Sequence, residues 1–159
     1  MPERSYFFYR DPTAPEPNGP RRLGVIALIE RGGLLLLERR VDAPLWSLIA
    51  GGVEDSETLT DALRREVYEE TGLTVSSYEL FGTFSDPTRV SSYPDGNTFR
   101  VASFAYLVGV ESFEGLRASA ESEELRFFPK SELPSLDFPA TQQPIIERFL
   151  AGDPPPHLE

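Results

Sequence analysis

Cysteine is absent from these 159 residues, and the one histidine, His157, sits in a proline-rich C-terminal stretch. Disulfides, thiolate nucleophiles and cysteine-bound metals are thereby excluded. Ser-His-Asp and Cys-His arrangements and a histidine-bound zinc site are excluded with them. Any general base must be a carboxylate or a metal-bound hydroxide. Lysine is reduced to Lys130 beside fourteen arginines, and acidic residues outnumber basic ones 26 to 15, for a net charge of −11. With no basic stripe anywhere, nucleic acid is not an expected partner. No run of 18 apolar residues exists to cross a bilayer, and the opening MPERSYFFYR lacks a signal-peptide core. The expectation is a protein with no membrane association, cytoplasmic by default. What remains is ordinary: 40% hydrophobic and 26% charged residues, enough for one globular domain with a substantial core.

The chain is organised around residues 51–73, GGVEDSETLTDALRREVYEETGL. Gly51-Gly52 open a turn. Thr58 and Asp61 fit a capping box, and Gly72 suits a C-terminal cap, so the sequence predicts a helix from Thr58 to Thr71. At about 100° per residue, Leu59, Ala62, Leu63, Val67 and Leu73 gather on the buried side, while Thr60, Asp61, Arg64, Arg65, Tyr68 and Thr71 take the other. Glu66 and Glu70 fall inside the apolar sector and Glu69 at its edge. Like charges at these spacings repel, the helix dipole adds to the repulsion, and desolvation raises the cost unless a cation sits among them. Hard oxygen ligands presented together suit Mg²⁺ or Mn²⁺.

Gly51-x5-Glu57-x7-Arg65-Glu66-Val67-x-Glu69-Glu70-x-Gly72-Leu73 resembles the Nudix box of the MutT-like hydrolases, with every defining position filled. One departure lies upstream, where Ala50 stands in place of the usual proline and removes no ligand. The resemblance implies a metal-dependent hydrolase of a pyrophosphate bond in a nucleoside diphosphate linked to another group. It also implies that Glu66, Glu69 and Glu70 bind Mg²⁺ (Mn²⁺ substituting), that Glu57 and Arg65 brace the loop and helix, and that Gly51, Gly52 and Gly72 let the chain turn.

Around this stretch, residues 1–22 form a proline-rich extension with aromatics at Tyr6, Phe7, Phe8 and Tyr9, read as an extra strand, a lid or part of a homodimer contact. Residues 23–152 form the domain. Leu23–Glu30 and Leu34–Glu38 are apolar runs joined by Arg31-Gly32-Gly33, a hairpin whose strands are covered on both faces. Arg39 and Arg40 follow, read as phosphate contacts or as a solvated strand end. Pro44 precedes a short strand, in which Trp46 is assigned to the core before base stacking. Glu79–Phe84 is a strand, and the long loop SDPTRVSSYPDGN after it carries substrate-side candidates Asp86, Pro87, Arg89 and Tyr93. Phe99–Val108 and Leu125–Phe128 are strands. Between them lies an acidic loop in which Glu121 or Glu124 is, by the same resemblance, a base or auxiliary ligand. Residues 141–150 form a closing amphipathic helix, and 153–159 a disordered tail.

The expected fold is α+β, an α/β/α sandwich with a mixed, twisted sheet. The expected substrate is a small nucleotide, with ADP-ribose or an ADP-sugar first because Pro87 lies fifteen residues beyond Gly72, as in the ADP-ribose-cleaving members that the resemblance brings in. A nucleoside triphosphate comes second and a diadenosine polyphosphate third. A non-catalytic nucleotide-binding module and a structural domain with a coincidental acidic helix are the alternatives to an enzyme.

Overall fold

The computed structural model describes residues 3–159. Its strands are β1 (Tyr6–Phe8), β2 (Arg22–Arg31), β3 (Leu34–Arg40), β4 (Trp46–Ser47), β5 (Ile49–Gly52), β6 (Val75–Phe84), β7 (Val90–Ser92), β8 (Thr98–Val110) and β9 (Ser122–Pro129). Helix α1 (Leu59–Thr71) follows β5, and α2 (Gln143–Ala151) closes the chain after two 3₁₀ turns. Among the described residues no helix is long and apolar enough to cross a membrane.

Gly32 and Gly33 both take positive φ, which a two-residue hairpin turn with the right twist requires. They join β2 to β3, but pairing is confined to the turn end, Glu30↔Leu35 and Arg31↔Leu34. Beyond it the strands part. β2 continues between β5, antiparallel, and β8, parallel from Arg22↔Val101 to Ile29↔Val108. β3 instead continues between β4 and β9. The result is a mixed sheet whose two halves diverge from a shared hairpin.

The continuous apolar runs are explained by the alternation of side chains across this sheet. Val25, Ala27 and Ile29 of β2 and Leu36 of β3 pack with Ala62, Leu63 and Val67 of α1. Ile26 and Leu28, with Leu35 and Leu37, pack with Ile145, Ile146 and Phe149 of α2. Both faces are covered, so both parities must be apolar. Leu150 falls outside this contact and is exposed.

Three expectations are corrected. The loop after Phe84 contains β7, which pairs with β8 on one side and with β1 on the other; the N-terminal aromatics therefore enter the sheet. Thr71, placed on the polar side of α1, is fully buried because its hydroxyl donates to Val67 O and accepts from Leu73 N–H. The tail is ordered. His157 N–H donates to Phe81 O (2.8 Å), its carbonyl accepts from Thr83 N–H (2.9 Å), and its ring lies 4.8 Å from that of Phe81. An edge strand offers unpaired backbone groups, and Gly82 lets the tail approach them, since a Cβ there would meet His157 O at 2.4 Å.

Candidate active site

In the angle where β2 and β3 part lies a cavity of about 700 Å³. The end of β5 and the box helix supply one wall. Thr58 caps α1 with its side chain accepting from Asp61 N–H, and Asp61 returns the bond to Thr58 N–H, so the capping box is complete. Gly72 ends the helix in the left-handed conformation at φ 75°.

Arg65, although its Cα lies on the polar side of α1, reaches back over the loop. Its Nε and Nη2 donate to the two oxygens of Glu57 (2.6 and 2.8 Å), Nη2 also to Gly52 O (2.9 Å), and Nη1 to Glu66 (2.8 Å) and Glu69 (3.2 Å). The guanidinium thus braces the turn, as its box position implies, and supplies a cation among the carboxylates. Glu57 also accepts from Glu54 N–H. These bonds, that from Arg65 foremost, hold its carboxyl down at about 2.

The acidic residues divide. Glu66 lies directly over Gly51, where a Cβ would meet its carboxyl carbon at 2.0 Å. Burial pushes Glu66 up to about 7 against the opposing pull of Arg65, with Glu69 and Glu70 adding to the rise. Glu70 is buried, and its carboxylate accepts from Ser119 Oγ. Glu121 is raised by the adjacent Glu70 carboxylate first and by burial second. Glu69 is half exposed and does not line the cavity. Glu124 is outside the cavity, paired with Arg126 on the surface.

Glu38 escaped the sequence reading. It is 5% exposed, lines the cavity, and accepts from Ser122 Oγ at 2.7 Å. Burial, with Glu70 alongside, lifts its carboxyl well above the usual range. The signal was a carboxylate ending the buried run Leu35–Leu37, at the same strand parity as Arg40.

By that parity Arg40 lines the cavity and Arg39 does not. Arg39 lies over the ring of Trp46, 5.8 Å from its centroid, on the opposite face, and its assignment to phosphate is withdrawn. Trp46 packs edge-on against Phe128 as a core residue. Arg40 is gripped by Asp42 through Nε (2.6 Å) and Nη2 (2.8 Å). Arg89 touches the cavity floor but is 1% exposed, donating to Thr141 O, Phe84 O, Val101 O and Ser103 Oγ. Burial without a bonded carboxylate pulls it down to about 10. Its role is to tie β6, β8 and the 3₁₀ turn before α2 together, which corrects its reading as a substrate contact. Tyr93 does line the cavity. Asp86 does not; it caps its own turn through Thr88 and pairs with Arg10.

The donor set fits a hard divalent cation by chemistry: Glu66, Glu38 and Glu121 line the cavity, Glu70 lies beside Glu38 and Glu121, and Arg65 meets only part of their charge. Among the described residues no three of them are gathered into a finished cage, because Glu66 and Glu69 lean on Arg65 and Glu70 on Ser119.

The comparisons agree with this geometry. The family model described as NUDIX domain matches residues 20–149. An ADP-ribose pyrophosphatase of Methanocaldococcus jannaschii is 33% identical over 119 residues, covering 73% of this chain and 66% of its own length. A nucleoside triphosphatase NudI of Escherichia fergusonii is 40% identical over 82 residues, 48% of this chain and 58% of that one. The aligned part of this chain thus spans about two thirds or less of these relatives. Among solved structures, a NUDIX hydrolase from Nitrosomonas europaea has a TM-score of 0.68 at 25% identity, covering 86% of this chain and 76% of the other.

Proposed function

The chain belongs to the Nudix family, and from that premise we propose that it hydrolyses the phosphoanhydride bond of a nucleoside diphosphate linked to a second group, ADP-ribose or an ADP-sugar. One observation carries the reading: Glu66 of a complete box opens into the same cavity as Arg40, whose lining also includes Glu38 and Glu121. Divalent cations, Mg²⁺ or Mn²⁺ in its place, held by Glu66, Glu69 and Glu70 with Glu121 beside them, would neutralise the diphosphate and lower the pKa of a bound water. Arg65 orients Glu66 and the Gly51-Gly52 turn. Asp42 occupies Nε and Nη2 of Arg40, which leaves Nη1 for a phosphate oxygen. Glu121, raised by its neighbour Glu70, is the carboxylate best placed to take a proton.

The choice of diphosphate conjugate rests on the relative from Methanocaldococcus jannaschii, whose similarity extends over 73% of the chain and so beyond the box. Higher identity to NudI over a shorter stretch favours a second reading, a nucleoside triphosphate releasing pyrophosphate. A substrate panel at fixed Mg²⁺, with products separated by chromatography, decides between them. ADP-ribose should yield AMP and ribose 5-phosphate, and EDTA should abolish turnover. A kcat/KM for any triphosphate about tenfold above every conjugate, about 1.4 kcal/mol of transition-state preference, would install the second reading. Tight binding without turnover of any of these would make the chain a binding module.

A further inference from the structure

The cavity has a second end, far from the carboxylates, and the box has no part in building it. There the leaf of β1, β7 and the first half of β8 turns one face inward. Alternation places Ser91 and Tyr93 on that face together with Phe99, Val101 and Ser103 of β8, and Phe7, paired with Ser91, joins them; all of these line the cavity. The Tyr93 ring stacks on Phe99 (centroids 5.6 Å apart, 18° between planes), and Phe7 stands edge-on to Tyr93 at 6.1 Å and 88°.

Strand register gives the separation of the two ends. Gly52 pairs with Gly24, and Gly24 with Ser103. Phe99 is four residues further along β8. Two strand spacings and four residue rises put the aromatic rings roughly 16 Å from the box turn. One continuous cavity thus runs from carboxylates, past Arg40, to a group of aromatic faces.

At the aromatic end the asparagine side chains are engaged, and the guanidinium of Arg22, which also lines the cavity, lies 4.1 Å from the Phe99 ring centroid. Asn97 Nδ2 donates to Asp95 (2.8 Å), Asn18 Nδ2 donates to Gly96 O (2.8 Å), and Asn18 Oδ1 accepts from Thr98 N–H (3.0 Å). What it offers a ligand is ring surface beside that guanidinium. β1 is also tied to the phosphate side. Ser5 N–H donates to Asp42 O (2.9 Å) and Ser5 Oγ to the Asp42 carboxylate that grips Arg40, while the Arg40 guanidinium lies 4.9 Å from the Phe7 ring centroid.

We propose that Phe7 and Tyr93, backed by Phe99, form the nucleobase subsite, stacking the base of the nucleotide whose diphosphate lies along Arg40 and the carboxylates. The N-terminal segment, through Phe7 and the Ser5–Asp42 tie, is then a specificity-determining wall. The assignment rests on reading the cavity as a phosphoanhydride site, and it determines which half of the substrate is recognised at the end remote from the metal.

Binding of two probes that differ only in the base tests it without any bond being broken. Calorimetric titration with AMP and with ribose 5-phosphate, at fixed Mg²⁺, should give AMP at least about tenfold tighter binding in the unaltered chain, about 1.4 kcal/mol. Phe7→Leu and Tyr93→Leu keep apolar bulk and remove a ring; each should reduce the AMP preference to about threefold or less, because stacking is what the ring supplies. Tyr93→Phe should retain the preference. Intermolecular nuclear Overhauser effects from the Phe7 and Tyr93 rings to adenine protons provide the same test without substitution. Equal affinities for the two probes, an AMP preference unmoved in both leucine variants, or absent ring-to-adenine effects would overturn the subsite. A failed subsite leaves turnover in the substrate panel untouched, and a failed panel leaves the AMP preference standing, so the two readings fall separately.

Discussion

Gly51 is the residue at which backbone conformation and chemistry meet most closely. The Glu66 carboxyl occupies the space a side chain would need, with its carbon 2.0 Å and its oxygens 2.2 and 2.3 Å from an added Cβ. These are the three nearest heavy atoms, so the closest clash is with the far end of one flexible side chain. Gly51→Ala should therefore leave the fold standing while driving Glu66 off Arg65. We expect kcat to fall by about 100-fold, the penalty of an ångström-scale displacement of a positioning group, with little change in Tm. Steady-state kinetics beside a thermal melt check this. A variant with normal kcat would show that the position of Glu66 over Gly51 is not the working one. Arg65 illustrates the same point from the other side: a helical projection places its Cα away from the acids, yet its side chain is long enough to bond Glu57, Glu66, Glu69 and Gly52 together.

At the scale of elements, legibility followed pattern length. Helix α1 could be read to its caps because a capping box, an apolar stripe and a terminal glycine all agree over thirteen residues. β2 and β3 could be read because burial on both faces leaves an unbroken apolar run. β7 could not, and β1 only as one of three alternatives, since three residues are too few to show a period; only each other's presence, with β8, makes them strands. The docked tail was hidden for a related reason, because proline-rich composition says nothing of an open sheet edge waiting for it. Glu38 was lost through its surroundings, a single acid in an apolar run looking like a strand end, and Arg39 was misassigned because parity matters only once β3 is known to continue past it. The part that was legible makes an energetic claim. Thr58→Ala removes the side-chain acceptor for Asp61 N–H and should destabilise by about 1 kcal/mol, whereas Leu63→Ala in the packed face of α1 should lose about 2–5 kcal/mol. Denaturant unfolding of the two variants measures both. Equal losses would mean that α1 is held by its cap as much as by its packed face.

Over the whole molecule, a net charge of −11 and carboxylates crowded into one cavity make stability depend on pH and cations together. Glu66 has a pKa of about 7 in the folded chain against an ordinary 4.5, and Glu38 and Glu121 are shifted in the same direction. Between those two values the folded chain holds more protons than the unfolded one, so its stability falls as pH rises. Glu57 works oppositely: depressed to about 2, it contributes fully above 4.5 and weakens only as pH falls below that, outside the window in question. In EDTA, then, Tm should drop as pH is raised from about 5 to about 7.5. Saturating Mg²⁺ should oppose the drop, because a cation binds the ionised carboxylates and stabilises by mass action, by about 2.7 kcal/mol at a hundred times its dissociation constant. The Mg²⁺-induced rise in Tm should accordingly be larger at the upper pH than at the lower. Glu66→Gln removes one of the raised acids, so its EDTA melts should lose part of the slope. Differential scanning calorimetry at four pH values, with and without Mg²⁺, measures all of these together. A Tm in EDTA that stayed level or climbed over this range would mean that the cavity carboxylates are not under the strain their burial implies.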